Sequence, residues 1–128
     1  MQNHRKYIKR GAVQPIETVP SHHKAPIRRL LMLNKDLVRE SKIHVAVHFI
    51  QNLPKKVPPY GDPHRHDYDE INLVLSTNGK LVYRVQLDEE VFRVTSPSTV
   101  YIPKGLRHCA NVISGTGLFV VIAMTPNK

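Results

Sequence analysis

The sequence has one cysteine, Cys109, and no tryptophan in 128 residues. A lone thiol cannot close an internal disulfide, so the fold must be held by its core. A reducing, cytoplasmic setting is the expectation. Long hydrophobic runs are missing as well, and no stretch approaches the ~20 apolar residues of a membrane-spanning helix. The leading residues, MQNHRKYIKRGAVQPIETVPSHHKAP, are basic but have no apolar stretch behind them, so they are not expected to act as a secretory signal. Internal repeats, low-complexity segments and extended helical periodicity are also lacking. Acidic residues are few, 10 against 19 Lys and Arg.

That imbalance is local. Residues 1–60 carry twelve Lys/Arg against three Asp/Glu, whereas residues 61–128 carry seven of each. A basic leading segment attracts acidic partners. No nucleic-acid motif and no interleaved aromatic pattern accompanies the charge, so it is read as a solvated arm with no nucleic-acid role.

Proline (10) and glycine (6) punctuate the chain at short intervals. Between them the period is two. Residues 1–26 have no clear period and are expected to form an extended N-terminal arm, followed by a single domain over 27–128. RRLLML (28–33) is a short apolar run, and NKDLVRES (34–41) a turn. In IHVAVHFI (43–50), Ile43, Val45, Val47 and Phe49 form the more apolar face, and His44, Ala46, His48 and Ile50 the other. HRHDYDEINLVL (64–75), KLVYRVQL (80–87), VFRVT (91–95), STVYI (98–102), HCANVI (108–113) and LFVVIAM (118–124) complete the set. Seven or eight short strands at regular spacing predict an all-β antiparallel sandwich or barrel.

His64 and His66 are two apart, and Glu70 lies four further on. On one regular strand the three side chains share a face. Two imidazoles and a carboxylate facing a core form a costly polar cluster unless something satisfies them, and a metal ion does so. Such donors suit Fe, Mn, Ni, Cu or Zn. His108, after the turn PKGL, is the candidate fourth donor. Cys109 would point away from it. Asn72 shares the ligand parity, making it a candidate donor to a ligand, and Arg84, Gln86 and Tyr101 are further pocket candidates. His44 and His48 are candidates too, although the more apolar face of their strand is the opposite one.

PHRHDYDE resembles the first motif of the cupin family, His-x-His, three residues, then Glu. YIPKGLRHCAN resembles the second, Pro-x-Gly, two residues, then His, through Pro103, Gly105 and His108. The resemblance covers residues 43–124. Pro58 and Pro97 stand where the family has glycines, and Asn111 follows His108 by three residues rather than four.

The resemblance implies an antiparallel jelly-roll β-barrel holding one divalent transition metal ion through His64, His66, Glu70 and His108. It also implies a small-molecule ligand or substrate. Oxygenase, decarboxylase and isomerase chemistry are all compatible with it, and a non-catalytic sensor or accessory protein is the alternative. Ile71, Leu73 and Leu75, opposite the ligand face, require a cover that the arm or a second copy supplies, and a homodimer is expected.

Overall fold

The computed structural model describes residues 4–124. Nine strands run in chain order: β1 (Ala12–Val13), β2 (Arg28–Leu33), β3 (Ile43–Ile50), β4 (Glu70–Leu75), β5 (Leu81–Leu87), β6 (Glu90–Thr95), β7 (Ser98–Ile102), β8 (His108–Gly115) and β9 (Gly117–Met124). They form a six-stranded antiparallel sheet, β1-β2-β3-β9-β4-β7, and a three-stranded sheet, β6-β5-β8. Among the described residues no helix is long and apolar enough to cross a membrane.

The two sheets meet over one apolar cluster. Ile50, Val74 and Phe119 of the large sheet pack with Leu81, Tyr83, Val85 and Val112 of the small one. The Tyr83 and Phe119 rings stack at 4.3 Å. Only Thr116 separates β8 from β9, so the chain changes sheets at a sharp corner. Gly115 (φ 105°) and Gly117 (φ 156°) make it, since a side chain at either would collide with the backbone of Lys80 or Leu75. The sheets are not joined by continuous pairing, and at the open end an isolated bridge links His64 to His108.

Strand register sorts the inner face of the large sheet into rows. His44, Ala123, Glu70 and Ile102 lie side by side at the rim. Leu31, Ala46, Val121, Asn72 and Val100 make the middle row. Arg29, His48, Phe119 and Val74 make the deepest row bordering the apolar cluster. Small side chains at Ala46, Ala110 and Ala123 leave space above that floor.

Two expectations change here. The strand expected over 64–75 begins at Glu70, because residues 65–69 bend away after the His64 bridge. The facing of β3 is also inverted. Ala46, His48 and Ile50 are buried, whereas Ile43 and Phe49 are 39 % and 37 % exposed. Hydrophobicity alone favoured the wrong face, because His48 Nε2 meets a buried partner, Arg29, that the apolar pattern does not show.

The leading segment lies along the large sheet. Its β1 pairs with β2 through Ala12–Leu31 and Val13–Leu30. Ile16 is buried in the core cluster, and His22 bridges to Gly61.

Candidate metal centre

Each candidate ligand is positioned by a different local device. Pro103–Leu106 form a tight turn in which the Leu106 N–H donates to the Pro103 carbonyl (3.1 Å). Gly105 takes φ 85°, where a side chain would be strained, and its N–H donates to the His66 carbonyl (2.9 Å). This turn therefore ties His66 to the start of β8. His64 and His108 exchange both backbone hydrogen bonds, at 3.0 and 2.9 Å, which places the two rings side by side. Asn111 fixes the approach to His64. Its Oδ1 accepts from the N–H groups of Tyr60 (2.7 Å) and Gly61 (2.8 Å), and its Nδ2 donates to the Gly61 carbonyl.

The ring orientations follow from their hydrogen bonds. His64 Nδ1 donates to the Asp62 carbonyl (2.7 Å), and His108 Nδ1 donates to the Leu106 carbonyl (2.8 Å). A carbonyl can only accept, so in each neutral ring Nε2 carries the free lone pair. The donor atoms of His64, His66 and His108 all lie within 4.8 Å of one another. His64 Nε2 is 3.1 Å from His66 Nε2, which is 3.2 Å from Glu70 Oε1. Glu70 Oε1 is 3.9 Å from His108 Nε2. Glu70 thus stands at the edge of a tight three-histidine group, touching it through His66 and His108. Asn72 donates to Glu70 Oε2 (2.8 Å), turning Oε1 toward the imidazoles.

These spacings fit an ion. Bonds of about 2.1 Å at right angles put neighbouring donors about 3.0 Å apart. His108 Nε2 is buried with no hydrogen-bond partner, an orphan aimed into the group. Burial lowers the His108 pKa and so favours the neutral, ligating form, with the Leu106 carbonyl and Glu70 opposing. Burial alone would raise Glu70, but hydrogen bonds with His66 and Asn72 outweigh it and hold the carboxyl below its usual value.

The other candidates separate clearly. Cys109 is buried with its Sγ 3.9 Å from Gln86 Oε1, and burial raises its thiol pKa. Tyr101 is 55 % exposed on the outer side of β7. Arg84 and Gln86 do not line the cavity. Asp69 instead accepts from the Lys104 N–H (2.8 Å), and Asp67 pairs with Lys104 Nζ (3.3 Å) outside.

A cavity of about 320 Å³ opens beside the cluster. Its walls include His44 and His48, and three residues that the sequence pattern did not single out for it: His22, Arg29 and Tyr68. Tyr68 stacks on His66 at 4.6 Å. The i, i+2 spacing of His44 and His48 with Ala46 was the available signal, masked by the apolar opposite face. Arg29 carried no signal within RRLLML.

This architecture matches known structures. A cupin 2 conserved barrel domain protein of Rhodopseudomonas palustris superposes with TM-score 0.63 at 13% identity, over 92% of this chain and 74% of that one. The chain has a cupin fold. KdgF of Halomonas sp. is similarly close, with TM-score 0.61 at 16% identity over 91% and 89% of the two chains. A predicted oxalate decarboxylase of Thermotoga maritima gives 0.58 at 16% identity over 78% and 81%. No family model matches the sequence, and no curated protein does. The likeness is therefore one of fold, and the cupin motifs read from the sequence fall on the turn, bridge and strand that assemble the histidine cluster.

Proposed function

We propose that this cupin is a metal-dependent enzyme acting on a small organic substrate, with one divalent ion held by His64, His66, Glu70 and His108. The observation that carries this reading is the group of three histidine donor atoms, all within 4.8 Å of one another, with the buried His108 Nε2 left without any other partner. Iron, manganese, nickel, copper or zinc suits these donors. Such an ion supplies a Lewis acid or, for iron, manganese or copper, a redox centre. The chain's own part is to fix the ring tautomers through Asp62 and Leu106, to hold Glu70 ionised through Asn72, and to wall a small cavity beside the site.

Four protein donors would leave up to two positions of an octahedral ion for other ligands, which supports turnover over storage. Among the fold neighbours is a predicted oxalate decarboxylase, and decarboxylase, dioxygenase and isomerase chemistry are all within reach of such a centre. The single buried cysteine fits a cytoplasmic location. The outer face of the large sheet, apolar over β3, β9 and β4, fits a homodimer.

Metal analysis of protein purified without added metal, followed by a metabolite screen with oxygen uptake recorded, tests the proposal. Stoichiometric metal with turnover of a substrate supports it. Full occupancy with no turnover would convert the reading into a sensor or accessory cupin. Absence of affinity for all five metals would overturn it.

A further inference from the structure

Arg29 sits at the floor of the cavity and is only 5 % exposed. Its Nε–H donates to Gln14 Oε1 (2.9 Å) and its Nη1 donates to His48 Nε2 (2.7 Å). Both partners are neutral acceptors. Among the described residues no carboxylate forms an ion pair with it, and three of its five N–H groups are left without a hydrogen-bonding partner. Burial penalises the guanidinium, the Glu70 charge opposes that penalty without pairing, and an anion bound directly removes more of the cost.

His48 points to the same conclusion independently. Arginine can only donate, so His48 Nε2 accepts and Nδ1 carries the proton. That Nδ1–H is buried with no partner. Burial, the Arg29 charge and His22 all lower the His48 pKa, consistent with a neutral ring. Arg29 and His48 are direct cross-strand neighbours, and both side chains line one end of one cavity.

Glu70 is the one acidic side chain in the cavity lining, and its oxygens are committed to His66 and Asn72. It lies at the rim, four residues along the strands from the row of Arg29 and His48, or about 14 Å of strand. The two ends of the cavity are therefore chemically distinct, with a histidine cluster at the mouth and a cationic donor pair at the floor. Between them lie the apolar Val19, Ala110, Phe119 and Val121 and one polar ring, His22, 6.4 Å from the His48 ring and 6.2 Å from that of His64. The volume is at the small end for ligand pockets.

We propose that Arg29 and His48 form an anion site for a small carboxylate substrate, anchoring its carboxylate at the floor and directing its other end toward the histidine cluster. The free edge of the guanidinium matches the two oxygens of a carboxylate. A phosphate, with three oxygens and more charge, would need donors that this floor lacks, since it holds no lysine and no cluster of backbone N–H groups. The inference rests on the cavity being the substrate site, as read above, but not on the metal.

The test uses acetate, butyrate and benzoate as probes, with butyramide and inorganic phosphate as controls, titrated by calorimetry into chelator-treated and metal-loaded protein. At least one carboxylate binds the chelated wild type, and butyramide binds about tenfold or more weakly than butyrate. Arg29→Gln lowers carboxylate affinity about tenfold or more, while metal affinity is unchanged or higher because a nearby positive charge is gone. Arg29→Lys keeps the charge but not the fork and falls between. Should Arg29→Gln fail to fold, the wild-type comparison of butyrate with butyramide decides alone. Equal binding of acid and amide, tighter binding of phosphate, carboxylate binding only when metal is present and indifferent to Arg29, or no carboxylate binding at all would each overturn the proposal. A protein that takes up no metal yet binds butyrate through Arg29 would sink the metal reading and leave this one standing.

Discussion

The two faces of the large sheet invert the usual distribution of polarity. The inner face of β3 and β4 carries His44, His48, Glu70 and Asn72, and that of β2 carries Arg29. The outer face carries Ile43, Val45, Val47 and Phe49 on β3, Leu118, Val120, Ile122 and Met124 on β9, and Ile71, Leu73 and Leu75 on β4. Ile43, Phe49, Leu75 and Met124 are each more than a third exposed. The polar side chains are tolerated inside because each is paired or aimed at a ligand site. Burial is thus set by what satisfies a group as much as by its hydrophobicity. A contiguous apolar outer face calls for a cover, which a second copy supplies on the homodimer reading.

That contrast can be broken from the inside first. His108→Ala and His64→Ala should each lower metal affinity by more than about a hundredfold, since each removes a bond where even supporting residues are worth about 10–100-fold. Cys109→Ser, one residue away on the other face of β8, should change it by less than about twofold. Competition titration against a metal-binding dye measures all three, and an equal loss in the cysteine variant would reverse the facing of β8.

Phe119 and Val120 are neighbours on β9 with opposite facing, so they compare the two faces directly. Phe119→Ala should cost about 3–5 kcal/mol in urea unfolding, because it opens a cavity against Tyr83 and Val74. Val120→Glu places a charge between Val47 and Leu73. It should leave the protomer folded but weaken the dimer by about tenfold or more, as light scattering would show. A wild-type protein that stays monomeric at high concentration would remove the dimer.

Asn111→Ala should cost about 1–3 kcal/mol, because it strands the Tyr60 and Gly61 N–H groups. It should also loosen the segment leading to His64, so metal affinity falls alongside stability. The smallest effect concerns pH. Burial holds His48 well below 6.5 and lowers His22 and His44 in the same direction. The unfolded state therefore binds more protons, and stability that is complete above about pH 6.5 declines as pH falls toward the folded values. Urea midpoints of the metal-free protein should show this decline, and His48→Gln should flatten it.

The strand pattern and the two ligand motifs were legible because they are local. Period-two alternation marks β3, β5 and β9, and the His-x-His and Pro-x-Gly spacings sit within single segments. The cavity floor was legible only in His48, a possible wall by its parity with His44. Arg29 reads as the edge of an apolar run, and its partner His48 lies 19 residues away on a strand whose facing the apolar count misjudged. Likewise, His64 reaches the cluster through a bridge to His108 rather than through one regular strand with Glu70. Pairings between distant segments decide these positions, and local composition carries no trace of them.

Anomalous diffraction from crystals of the metal-loaded protein tests the central claim most directly. A single strong peak about 2.0–2.2 Å from the Nε2 atoms of His64, His66 and His108 and from Glu70 Oε1 is the predicted result. A metal peak elsewhere, with these imidazoles uncoordinated, would contradict it.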